Sequence, residues 1–121
     1  MAQVNEDRLP NGPQLDALVA EKIFGWKEIR RHNKSDYWGK KQDKAGRWRS
    51  ARVPDYSSDA RLASQIEERM KELKRFDRYE TELSKIARHH GLPAGWALAD
   101  QRCRAALKAI KSGAGFRLVK R

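Results

Sequence analysis

A change in the period of the apolar residues constrains this chain most. Leu15, Leu18, Val19 and Ile23 recur every three or four positions, as do Leu62, Ile66, Met70 and Leu73. The same spacing returns in Phe76, Tyr79, Leu83, Ile86 and Ala87, and again in Cys103, Ala106, Leu107 and Ile110. Each set falls on one face of a helix. Between the first set and the second the helical spacing disappears, and aromatic and β-branched residues alternate with charges around turn residues.

The punctuation of the helices supports this reading. Pro13 suits a first helical turn and Gly25 stops the first stripe. In Tyr56-Ser57-Ser58-Asp59 a serine is expected to cap the second helix, over about 58–74, with Asp59 complementing its dipole. Asp77 followed by Glu80 resembles a capping box for a third helix that His89, His90, Gly91 and Pro93 terminate. Tyr79, Thr81 and Leu83 also alternate as a strand would. Asp100 is placed to cap a last helix that Gly113 and Gly115 end after Ile110.

In the interval without helical spacing, residues 26–31 suit a half-buried strand. Residues 37–40 and 47–53 flank the segment 41–46, whose Asp43 and Gly46 are turn residues, so a β-hairpin is expected beside that strand. The fold class is therefore α+β: a small antiparallel sheet, one strand plus a hairpin, packed with three to four helices in a sandwich-like arrangement. At 121 residues there is room for one core. The expected organisation is an N-terminal arm over 1–12, a domain over 13–112 and a basic tail over 113–121.

Charge narrows the function classes. The formal net charge is +11, more than solubility requires, and such an excess attracts polyanions through phosphate contacts and counterion release. It is unevenly placed. Residues 27–52 hold ten basic side chains, Lys27, Arg30, Arg31, Lys34, Lys40, Lys41, Lys44, Arg47, Arg49 and Arg52, against the acidic Glu28, Asp36 and Asp43, a local excess of seven. Tyr37, Trp38 and Trp48 interleave with them, and could stack on bases or hold arginine by cation–π contact. Alternatively Trp48 is core, and Arg47 and Arg49 point the other way along the strand. Arg102, Arg104 and Lys108 offer a second basic patch, although positive charge late in a helix also favours its dipole. Residues 58–90 are nearly balanced and suggest intrahelical pairs such as Glu67 with Lys71.

Catalytic and metal chemistry find no pattern. His89, His90 and Cys103 fit no zinc spacing, and Cys103 reads as a small buried residue. No phosphate loop, nucleophile elbow or His-x-Glu signature occurs, so no catalytic residue, metal or cofactor is expected. With one cysteine no internal disulfide can form. No secretory leader opens the chain and no apolar run suits a membrane span, so a cytoplasmic location is expected.

Three stretches resemble a known family: Leu15-Asp16-Ala17-Leu18-Val19-Ala20-Glu21-Lys22-Ile23-Phe24-Gly25-Trp26, Tyr56-Ser57-Ser58-Asp59, and Arg102-Cys103-Arg104-Ala105-Ala106-Leu107. In this order they look like the phage ABA sandwich family of small bacteriophage and prophage proteins. The resemblance implies a small sheet sandwiched with helices, a phage origin and no catalytic residues. It also implies a β-pair where residues 77–90 here carry a helical stripe. Small phage proteins often engage host machinery, so the resemblance adds an anti-defence expectation.

The functional expectation is a basic protein that engages nucleic acid or a nucleic-acid-containing host complex through Arg30, Arg31, Lys40, Lys41, Lys44, Arg47, Trp48, Arg49 and Arg52. One alternative is an anti-CRISPR-like inhibitor whose basic face occupies an acidic surface of a host protein. Another is a nucleotide-binding protein.

Overall fold

The computed structural model describes residues 10, 12–33, 36–91 and 97–118, with the backbone alone for 112–118. Four helices and three strands follow in the order α1 (Pro13–Lys22), β1 (Lys27–Arg31), β2 (Tyr37–Gln42), β3 (Trp48–Arg52), α2 (Ala63–Glu72), α3 (Phe76–His89) and α4 (Ala99–Leu118). A 3-10 turn, Ala60–Leu62, leads into α2. The N-terminal arm expected over 1–12 and the segment around Pro93 lie mostly outside the described residues, as does the end of the basic tail, 119–121.

The helices arise from the stripes that predict them. Leu15, Val19, Ile23, Ile66, Met70, Tyr79, Leu83, Cys103, Ala106 and Leu107 are all buried in one core. Cys103 is thus a packing residue, while His89 and His90 remain exposed. Helix α4 packs against α1, α2 and α3, so it is the central element of the helical layer. No helix among the described residues is long and apolar enough to cross a membrane.

Several helix ends differ from expectation. No serine caps α2. Asp59 accepts the Arg61 N–H at 3.0 Å, ahead of the 3-10 turn, whereas Ser57 is buried and bonded elsewhere. The Asp77–Glu80 capping box does not form, because α3 begins at Phe76 on an Arg75 that makes no side-chain cap bond. At α4 it is Gln101, rather than Asp100, that turns back, accepting the Leu98 N–H at 2.9 Å, while Asp100 pairs with Arg104. Helix α4 also runs through Gly113 and Gly115 to Leu118. Glycine lowers helix propensity by about 1 kcal/mol but ends a helix only where the backbone turns left-handed. Such a turn does end α3: Gly91 has φ +73° and its N–H reaches the Arg88 carbonyl at 2.9 Å. At the end of α2 Lys74 takes the same role at φ +59°, with Arg75 N–H on the Met70 carbonyl and Lys74 N–H on that of Lys71.

The three strands form one antiparallel sheet in the order β1-β2-β3. Trp38 opposes Arg52, Gly39 opposes Ala51 and Gln42 opposes Trp48 across β2 and β3. Asp43 builds the hairpin turn by accepting the N–H groups of Ala45 and Arg47, both at 2.9 Å. Pairing of β1 with β2 is interrupted between Lys27 and Arg30. Glu28 there takes φ +54°, the extra residue of a bulge. The architecture is thus α+β, a three-stranded antiparallel sheet with four helices, and residues 76–89 are helix rather than a β-pair.

Candidate polyanion-binding face

Strand alternation gives the sheet two unlike faces. Ile29, Tyr37 and Ala51 turn toward the helices and pack on the core, and Gly39 between them is buried. A Cβ at Gly39 would stand 2.7 Å from Ile29 Cγ1 and 3.2 Å from the Lys27 carbonyl oxygen. Glycine thus lets β1 lie close across β2 where the bulge crosses it.

The other face carries Lys27, Arg30, Trp38, Lys40, Trp48, Ser50 and Arg52, and all of them are exposed. Trp38 is 43% and Trp48 40% exposed. The core placement of Trp48 is thereby overturned: its indole is exposed, and it lies on the face opposite Arg49. The Lys27 ammonium sits 4.8 Å from the Trp48 ring centroid, which confirms that residues of both edge strands share this surface. The His32 ring meets Trp38 edge-on at 6.2 Å between centroids. A shallow groove of about 480 Å³ on this face is lined by Glu28, Arg30, His32, Trp38, Gly39, Lys40 and Ser50. Arg30 and Lys40 have no carboxylate within ion-pairing distance among the described residues.

The remaining basic residues of the hairpin distribute differently. Arg49 Nε lies 2.7 Å and Arg47 Nε 3.4 Å from Asp43 Oδ2, and the Arg49 guanidinium holds that carboxyl below its usual range. Both arginines stay largely exposed at the turn end, beside exposed Lys44. Arg52 is shared between Asp36 at 2.7 Å and Asp55 at 3.1 Å, which lowers the charge it offers outward. Lys41 and Arg31 belong to the opposite face, where the Lys41 ammonium stands 5.8 Å from the Trp26 ring. Lys34 lies outside the described residues. Lys27 and Trp38 thus join the surface that sequence reasoning centred on Trp48. Their alternation with Arg30 and Lys40 in paired strands was the available signal.

The second basic patch is built inward. Arg102 pairs with Glu67, whose same oxygen accepts the Tyr79 hydroxyl at 2.9 Å. Arg104 pairs with Asp100 at 3.4 Å, and the two arginine side chains are only 17% and 13% exposed. The first pair ties α4 to α2, so Glu67 pairs across to α4 rather than with Lys71, and the second lies within α4. Lys108 is half-buried on the same helix.

The three motif stretches converge in the core. Asp16, 3% exposed, accepts the Ser57 N–H at 2.6 Å, and the Ser57 hydroxyl accepts the Gly12 N–H at 2.9 Å. Phe24 stacks on Tyr56 at 5.0 Å between centroids, and Tyr56 and Cys103 are both buried. Burial raises the Asp16 carboxyl and the Cys103 thiol above their ordinary values. A thiol kept protonated and enclosed is a poor nucleophile. The shared residues thus join the start of α1 to the loop after β3, and Ser57 belongs to this joint.

No curated protein and no solved structure matches the chain. The family model of the phage ABA sandwich domain matches residues 17–107, a span from α1 into α4 that contains the whole sheet. The chain belongs to the phage ABA sandwich domain family.

Proposed function

We propose that this phage-family protein is a basic binding module that engages nucleic acid, or a host complex containing it, through the three-stranded sheet and its hairpin. The observation that carries this reading is the sheet face that no helix covers among the described residues. It presents Lys27, Arg30 and Lys40 without carboxylate partners, beside two exposed indoles. Positive groups in this setting attract phosphates, and each neutralised phosphate releases counterions. Arg47 and Arg49 extend the positive surface around the turn end.

Anisotropy titrations with labelled DNA and RNA at two salt concentrations test the reading. Affinity is expected to fall steeply as salt rises. Replacing Arg47 and Arg49 together by Ala should leave stability within about 0.5 kcal/mol, since both are exposed. It should weaken binding and flatten the salt slope by about two units. Absence of binding to either nucleic acid at low salt overturns the proposal. A pull-down from nuclease-treated host lysate separates it from the inhibitor reading: a host protein still captured in stoichiometric amount would move the partner to an acidic protein surface.

A further inference from the structure

We infer that the open sheet face binds single-stranded nucleic acid by stacking unpaired bases on Trp38 and Trp48. This rests on the polyanion-binding reading above and deepens it, by naming the form of nucleic acid and the groups that hold it. The two indoles lie on the same face but on neighbouring strands. Trp38 opposes Arg52 and Gln42 opposes Trp48, so four residues of strand separate them, about 13 Å at the rise of a β-strand. Lys40 lies between them along β2, and Arg30 stands beside Trp38 on β1. Aromatic rings alternating with cations along one exposed surface are what a flexible strand with bases and phosphates requires.

Geometry favours the single strand over the duplex. In a duplex the bases stack on one another and only their edges reach the grooves, so indoles on a sheet surface have nothing to stack on. Phosphate contacts alone would explain the lysines and arginines but not two large apolar rings left at 43% and 40% exposure. An acidic protein surface would likewise answer only the charge.

Each ring is positioned to receive a base. His32 meets Trp38 with 61° between the ring planes, and Trp38 lines the groove together with Arg30 and Lys40. Lys27 covers one face of Trp48. An exposed cation–π contact is weaker than a base–aromatic stack, so an arriving base displaces the ammonium, which is then free to meet a phosphate. Glu28 is the acidic residue of the groove, and it lies at the bulge beside Arg30.

The test uses three ligands of equal length: oligothymidylate, an abasic deoxyribose-phosphate strand and a DNA duplex. The full chain is expected to bind oligothymidylate more tightly than the abasic strand, with quenching of tryptophan fluorescence. Trp38→Ala and Trp48→Ala should each weaken oligothymidylate binding about tenfold, leave abasic-strand binding and the salt slope unchanged, and be rescued in part by Phe. Circular dichroism and a thermal melt establish that the variants fold. If folded Trp variants bind oligothymidylate like the parent while Lys27→Ala/Arg30→Ala/Lys40→Ala loses it, stacking is overturned and polyanion binding stands. If the Trp variants lose the abasic strand equally, or the parent prefers duplex, stacking is overturned as well. If the parent binds none of the three ligands at low salt, the underlying reading fails.

Discussion

Asp16 and Ser57 illustrate how a single residue can carry a meaning that its neighbours in sequence do not disclose. Ser57 sits in a segment that looks like a helix cap, but its partners, Asp16 and Gly12, are 41 and 45 positions away. Only the closed fold reveals the joint. Burial raises the Asp16 carboxyl above its ordinary value of 3.8, against the Ser57 bonds that favour its ionised form. Between these two values the folded protein holds a proton that the unfolded chain has lost. The contribution of Asp16 to stability is therefore greatest below 3.8 and declines as pH rises through the folded value. Asp16→Asn removes this dependence while keeping an acceptor for the Ser57 N–H. Relative to the parent, the variant should gain stability as pH is raised from about 4 to 7, in urea midpoints measured side by side. A difference that is flat or reversed across that window would show that burial does not raise the Asp16 carboxyl.

Among the elements, those whose signal is local were legible and those whose signal is tertiary were not. The four stripes locate α1 to α4 because periodic burial is written into each segment, and Asp43 with Gly46 marks the hairpin because the turn is closed by its own residues. Caps fared worse. Asp59 and Gln101 displaced the expected serine and Asp100 as the bonding side chains, since several residues in each stretch can accept an amide and geometry alone selects one. Gly113 and Gly115 carry no intrinsic stop, and α4 passes through them. The bulge in β1 left no readable trace except Gly39 on the facing strand. Gly39→Ala drives a methyl toward Ile29 and the Lys27 carbonyl, and should destabilise the sheet by about 1–3 kcal/mol. Chemical denaturation checks this, and Ile29→Ala in the same chain should make the combined loss smaller than the sum of the two single losses, because the closest atom, Ile29 Cγ1, is then absent.

For the molecule as a whole, charge composition located the candidate face, but which side of the hairpin lies open depended on where the helices pack. Alternation separates Trp48 from Arg49 without indicating which faces the core. The helical layer is held independently of that face. Glu67 on α2 receives both Tyr79 of α3 and Arg102 of α4, so Glu67→Gln should cost about 2 kcal/mol in a thermal or urea melt. It should leave binding by the sheet unchanged below the transition, whereas a loss of affinity in the folded variant would mean that the two layers are coupled. The sheet itself has a further consequence. Both β1 and β3 end it without a strand partner among the described residues, and unpaired strand edges invite other copies of a chain to add on. Lys27, Arg30 and Arg31 line one edge, and Arg47, Arg49 and Arg52 line the other. Like charges thus meet wherever two copies approach edge to edge, so the cations proposed to receive a polyanion also oppose edge-to-edge pairing of two copies.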